Sequence, residues 1–320
     1  MFSRSNRTTV EAAVPAAIHR PSQAARLPLQ RRGIAGFTLA ELLVSVGVLV
    51  LLVLLFTQLL NSAATITALG HKQMDADSQA RQLLDRMAVD FAQMVKRSDV
   101  DYFAKGTAAP NSVGGTMDGN DQIAFYSAVP GYYPSGSSTG SQSPVSLVAY
   151  RVKSQNKLER LGKGLVWNGV SSTDTPVVFL PLLISNIWPY ATNQSPDPSS
   201  PSAYEIMGPQ VFRFEYCYLL KANGTLSITP PGDIAGIAAI IADIAVIDSK
   251  SKVLLTDADI ATFATPGGAN FLSDYSSGMA PGQLRAQWQN TLNGITSLPR
   301  PALSGIRLYE RFFYLSPPTL

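Results

Sequence analysis

The chain has 320 residues, enough for one large domain or two ordinary ones, with 15% charged residues and a mean hydropathy of +0.10. Its formal charge of +3 is unevenly placed: residues 1–36 hold six arginines and one glutamate, leaving 19 basic and 21 acidic side chains in the rest. That slightly acidic remainder argues against a nucleic-acid-binding surface. A lone Cys217 excludes an internal disulfide, and two histidines, His19 and His71, exclude most histidine-based metal sites and catalytic triads.

The first predicted element is apolar. Phe37 to Leu60 reads FTLAELLVSVGVLVLLVLLFTQLL, with Glu41 as its one charge. As a helix, these 24 residues span roughly 36 Å, enough to cross a hydrocarbon core of about 30 Å. Apolar residues cover every face, so the helix needs lipid or other helices around it. A buried core helix is the alternative, and the length favours the membrane. No lysine or arginine occurs between Arg32 and Lys72, while Asp75 and Asp77 follow the segment closely. The positive-inside rule then keeps residues 1–36 in the cytoplasm and sends the rest outward, in a single pass. A secretory signal is cut after its apolar run; here the small residues Ala35 and Gly36 precede it.

The run RRGIAGFTLAELL resembles the processing site of type IV prepilins: a basic leader, Gly, Phe, then Glu at the fifth position after the cut. The resemblance implies that a prepilin peptidase cuts between Gly36 and Phe37 and methylates the new amino group of Phe37. It also implies that Glu41 is the acid used in assembly. Independently, a carboxylate one turn inside a membrane helix costs about 2.5–3.5 kcal/mol on insertion and usually marks function. A cut at Gly36 places a positive amine about 6 Å along the axis from Glu41. In a filament, Glu41 of one subunit neutralises Phe37 of its neighbour; the alternative is a carboxylate snorkelling at the interface.

No proline occurs between Pro28 and Pro110, so the helix is expected to continue to about Arg97, with Gly70 as a possible interruption. Leu84, Met87, Ala88, Phe91, Met94 and Val95 recur at helical spacing on one face. Asp77–Arg81–Asp85 and Arg86–Asp90 set opposite charges four apart on the others.

Beyond residue 100 the pattern becomes short alternating runs separated by Gly, Pro, Ser and Asn. Strands are expected at Gln122–Ser127, Ser146–Val152, Lys157–Leu161, Val177–Leu180, Val211–Leu219 and Gly305–Tyr314. Surface loops are expected at 106–120, 130–144 and 192–203. In Val211–Leu219, Phe212, Phe214, Tyr216 and Tyr218 share one face and Arg213, Glu215 and Cys217 the other, which predicts a half-exposed antiparallel sheet. The run Asp233 to Asp248 fits a helix or a strand; its β-branched content favours a strand followed by a short helix begun by Thr256 and Asp259.

The elements LVAYRV, KLERL, VFRFEYCYLL, Trp288 and LPRPALSGIRLYERF resemble the J-type minor pseudopilins of type II secretion, against which residues 225–280 form an insertion. The blocks RMAVDFAQMVKRSDVDYF, GNDQIAFYSAVPGYYP and IRLYERFFYL more closely resemble the pilin-like family called Verru/Chthon cassette protein C. The fold these resemblances imply is α+β and pilin-like, a long N-terminal helix packed on an antiparallel sheet domain. The expected organisation is a leader at 1–36, a membrane and assembly helix at 37–60, its amphipathic continuation at 61–98, and a globular domain at 99–320.

Sites for other chemistry are few. The sequence holds no G-x-S-x-G, H-E-x-x-H, Walker A, G-x-G-x-x-G or C-x-x-C pattern. Asp118-Gly-Asn-Asp121 offers oxygen ligands at a turn, a weak metal candidate without the remaining acids of an EF-hand loop. Asp248, Asp257 and Asp259 read as a solvated face or a site, Cys217 as a half-buried hydrophobe or a reactive thiol, and His71 as a solvated helix residue. No catalytic residue and no cofactor is expected. The leading expectation is a structural pilin-like or pseudopilin subunit of the inner membrane, in a type IV pilus-like or type II secretion-like filament. Its partners would be prepilin peptidase, other pilin-like subunits, the inner-membrane assembly machinery and the lipid bilayer, with no nucleic acid. The rivals are a single-pass anchored receptor or binding protein with an outward domain, and an anchored hydrolase using scattered carboxylates.

Overall fold

A computed structural model describes residues 36–96, 119–133, 142–153, 157–165, 200, 203–231 and 233–315. The expected strand Val177–Leu180 and the larger part of the three expected loops lie outside these residues. The chain divides into two units, Met1–Leu60 and Asn61–Leu320. Helix α1, Leu39–Ala92, contributes to both and continues through Gly70. In the first unit its apolar side chains from Leu39 to Leu60 are exposed on every face.

In the second unit ten strands follow among the described residues. They are β1 (Gln122–Ser127), β2 (Gly131–Tyr132), β3 (Gln142–Ser143), β4 (Ser146–Lys153) and β5 (Lys157–Gly164). After them come β6 (Glu205–Gly208), β7 (Val211–Leu220), β8 (Leu226–Ser227), β9 (Ile237–Ile247) and β10 (Ile306–Tyr314). Between β9 and β10 lie four helices: α2 (Ser249–Lys252), α3 (Asp257–Thr262), α4 (Gln283–Gly294) and α5 (Arg300–Leu303). One sheet has the order β1-β4-β5-β2-β3, with β6 also on β5; the other runs β10-β9-β7-β8. Apart from a single parallel contact of β2 with β5, the pairings are antiparallel. The architecture is α+β, as expected.

Helical spacing in the second half of α1 produces a continuous apolar stripe, which begins earlier than the sequence pattern suggested. Ala76, Ala80, Leu83, Met87 and Phe91 are buried, and Ala88 packs beside them. The stripe meets one face of each sheet: Ile123, Phe125 and Val148 of the first, Phe214, Ile240 and Ile244 of the second. Phe91 joins the two, its ring centroid 4.7 Å from Phe125 on β1 and 4.9 Å from Phe313 on β10. Such aromatic pairs add about 0.5–1.5 kcal/mol beyond the area they bury. The helix stops at Ala92 rather than near Arg97, because the chain is captured by β1. Val95 N–H donates to Tyr126 O at 2.9 Å and Ala128 N–H to Gln93 O at 2.9 Å.

The Asp233–Asp248 run becomes a short 3₁₀ turn, Ile234–Gly236, and then β9, the strand between β10 and β7. Burial on both faces favours its near-continuous apolar sequence, interrupted only by the buried Asp243, over an alternating one. Residues set apart in the sequence as an insertion thus supply the middle of a sheet. Two expectations for β7 need correction. A register shift at Val211–Arg213 turns Phe212 away from Phe214, so its ring packs 5.2 Å from Phe263 instead. Nor is the sheet half-exposed: Arg213, Glu215 and Cys217 are buried beneath the segment from α2 to α5. Leu255, Phe263, Leu284 and Trp288 supply that cover, and the Trp288 indole N–H donates to Ser273 O at 2.7 Å.

The charged face of α1 is used across the fold. Asp77 accepts from the Tyr309 hydroxyl, and Asp85 accepts from Arg311 at 2.5 Å, both partners lying on β10. Asp90 is fully buried. Its carboxylate receives Arg160 Nε at 2.7 Å and Nη2 at 3.0 Å, together with the Tyr150 hydroxyl. Arg86, one turn before it, lies 3.6 Å away at Nε. Removing one member of a buried pair leaves the other charge uncompensated. Asp90→Ala should therefore lose about 3–5 kcal/mol in urea unfolding of the detergent-solubilised chain, and Asp90→Ala/Arg160→Met should recover part of that loss.

Candidate functional site

Gly36, Phe37 and Thr38 lead directly into α1. Space around Gly36 is open, and Phe37 is 80% exposed. Thr38 and Glu41 form a reciprocal cap. The Thr38 N–H and hydroxyl donate to Glu41 Oε2 at 2.9 and 3.0 Å, and the Glu41 N–H donates to Thr38 Oγ1 at 3.3 Å. This is a capping box, which satisfies backbone donors that a helix start otherwise leaves open. Its sequence signal, Thr-x-x-Glu at 38–41, was readable but is overshadowed by the apolar run. The cap gives Glu41 a local role in starting the helix beside any role between subunits.

Leu39–Ala68 is long and apolar enough to cross a membrane, with a mean hydropathy of 2.8 over its most apolar stretch and none of that stretch buried. It is the one such helix among the described residues, and it fits a single-pass membrane protein. Four of its hydroxyls close on the helix itself. Ser45 donates to Leu42 O at 2.8 Å, Thr57 to Val53 O at 2.8 Å, Thr65 to Asn61 O at 2.8 Å and Thr67 to Ala63 O at 2.9 Å. Polar groups met by lipid need internal partners of this kind. His71 follows on an exposed position of α1.

The remaining sequence candidates are distributed over the second unit. Asp118 lies outside the described residues. Asp121 turns toward β7: its Oδ2 accepts from the Tyr216 N–H at 2.9 Å, and its own N–H donates to Phe214 O at 3.0 Å. Asn120 accepts from the Phe214 N–H at 2.8 Å, so this turn closes the edge of β7. Gly119 has φ +87°, and a Cβ there would meet Ala264 O at 1.8 Å, so the turn needs glycine. Arg213 reinforces the latch by donating to Gly119 O, Leu272 O and Asp274. Asp248 caps α2, accepting from the Lys250 and Ser251 N–H groups at 3.0 Å each. Gly305 is packed so closely that a Cβ would lie 2.1 Å from Asp248 Oδ2. Thr256 and Asp259 form the expected capping box at the start of α3, and those backbone and side-chain bonds hold the Asp259 carboxyl below its usual range. Cys217 is buried, in the cluster with Phe212 and Trp288. Among the described residues no three His, Cys, Asp or Glu are grouped to hold a metal ion.

A feature the sequence did not signal is a cleft of about 500 Å³ bordered by Arg86, Tyr132, Gln142, Arg160, Glu205 and Met207. Arg160 reaches Glu205 at 3.1 Å from the same guanidinium that holds Asp90. The cleft depends on residues up to about 120 positions apart, a separation invisible to local spacing. On a neighbouring row, Arg151 donates to Glu159 at 3.1 Å and lies 3.6 Å above the Tyr204 ring. No known family model matches the chain, and no curated protein matches it significantly.

Burial raises the Glu159 carboxyl above its usual range, and Arg151 opposes that rise. A raised folded-state pKa gives stability that is present at low pH and lost as pH climbs through it. Arg151→Met should enlarge the rise. The variant's deficit in unfolding free energy should be greatest near neutrality and shrink toward the ordinary glutamate range, about pH 4–5. A deficit independent of pH would show that Glu159 is not the group responsible.

Proposed function

We propose that this chain is a pilin-like or pseudopilin subunit, made as a precursor and built into a type IV pilus-like or type II secretion-like filament. Residues 1–36 form a cytoplasmic leader that prepilin peptidase removes between Gly36 and Phe37, with methylation of Phe37. Before assembly, α1 holds the protein in the inner membrane with the second unit outside the cytoplasm. The observation that carries this reading is the coincidence, within one helix start, of a basic leader, Gly36, Phe37 and the lone acid Glu41 heading an unburied apolar helix.

The physical sense of the arrangement lies in charge. A carboxylate at this depth is costly alone in lipid, and a cationic partner lowers that cost. The new amino group of a neighbouring subunit's Phe37 is such a partner, available only after cleavage. Processing would then switch on subunit attraction: the uncut leader blocks the amine, and the cut end exposes it. The capping box does not conflict with this role, because an N-terminal carboxylate both caps its helix and retains its charge.

Two measurements test the proposal. In membranes with an active prepilin peptidase, mass spectrometry should find a mature N-terminus at a methylated Phe37. An anchored receptor would instead retain residues 1–36. Glu41→Gln keeps an oxygen acceptor for the cap and removes the charge. It should leave cleavage intact and reduce filament incorporation at least tenfold; unchanged incorporation would remove Glu41 from assembly.

A further inference from the structure

β10 lies at the margin of its sheet, with β9 as its neighbour among the described residues. Two bonds fix the phase of its backbone. Asp248 N–H donates to Gly305 O at 3.1 Å, and Leu315 N–H donates to Ala238 O at 2.9 Å. Antiparallel ladders alternate in direction residue by residue. The odd-numbered residues between those ends therefore bond to β9. Ile306, Leu308, Glu310, Phe312 and Tyr314 turn their N–H and C=O groups outward.

The opposite margin of the sheet is covered, by Asn120 and Asp121 along part of β7 and by β8 along the rest. β10 has no comparable cover among the described residues. Neither a proline nor a register shift interrupts its nine residues, so two common protections against strand addition are missing. Beside its first half runs a cleft of about 340 Å³, between Ile306–Leu308 and Arg285, Ala286 and Gln289 of α4. Arg285 and Arg307 border that cleft, and the neighbouring Glu310 carboxylate is engaged, accepting from the N–H of the lining residue Gly282 at 2.7 Å.

We propose that the outer margin of β10 receives an extended acidic segment of another protein as an added strand. The five outward-facing residues supply the backbone bonds, and Arg285 and Arg307 select carboxylates at one end. A second copy of this chain fits less well, since two-fold pairing centred on the strand sets Glu310 opposite its own equivalent. The inference does not depend on cleavage at Gly36 or on filament assembly.

The test uses the full chain in detergent micelles and a fluorescent nine-residue peptide alternating valine and threonine, with two glutamates at one end. Its affinity should exceed that of a matched lysine peptide at least tenfold, and Arg285→Glu/Arg307→Glu should invert that order. Leu308→Pro should weaken the glutamate peptide at least tenfold. The amide it removes points outward, so no bond to β9 is lost. Should that variant fail to fold, alternate N-methylation of the peptide asks the same question of the intact protein. Absence of saturable binding, equal affinity for both peptides, or indifference to Leu308→Pro and to N-methylation would overturn the proposal. So would concentration-dependent self-association that Leu308→Pro abolishes, which would make a second copy the occupant.

Discussion

The second unit is organised around a carboxylate that has no access to water. Asp90 projects from α1 and is held by Arg160 of β5 and Tyr150 of β4, while its neighbour Phe91 lies between β1 and β10. Two consecutive residues thus tie one helix to both sheets, the first by charge and the second by ring contacts. A buried pair of this kind is weak evidence for net stability, but it penalises any other placement of the helix, because a shift leaves two charges unpaired in the core. The apolar stripe from Ala76 to Phe91 supplies the stabilisation, and Asp90 supplies the register.

A large part of this architecture is legible in the sequence, for reasons that vary along the chain. The membrane-compatible helix announces itself by length and composition alone. β1, β4, β5, β7 and β10 lie close to the expected positions because β-branched and aromatic residues fall between turn residues. The capping boxes at 38–41 and 256–259 carry a four-residue signature, which only the second made visible above its surroundings. What stayed hidden is tertiary. The reversal of Phe212 comes from one added residue in β7, and no alternation pattern reports a bulge. The burial of Arg213 and Glu215 depends on the helices from α2 to α5, contributed by residues more than 30 positions later. The cleft beside Arg160 is likewise assembled from distant segments, and the acidic turn at Asn120–Asp121 serves the edge of β7.

Two questions about function rest on different parts of the chain. The proposed assignment to a filament rests on the N-terminal segment, where a basic run, the Gly36–Phe37 pair and the single acid Glu41 fit together if helices pack against helices. The proposed strand addition rests on the second unit. Its sheets, latches and caps are those of a stable folded body, and the outer margin of β10 offers backbone groups beside two arginines. Taken together, the two proposals give the chain one surface for its own assembly and another for an outside partner.

The central claim is that the apolar helix is a packing surface for like helices once the leader is gone. Pairwise cysteine crosslinking along it tests this most directly, since the native Cys217 is buried and does not compete. Cysteines placed singly at Leu42, Val46 and Val53 should give crosslinked multimers in cells with an active prepilin peptidase. They should give predominantly monomers when cleavage is blocked. Monomers under both conditions, with the leader removed, would contradict the account.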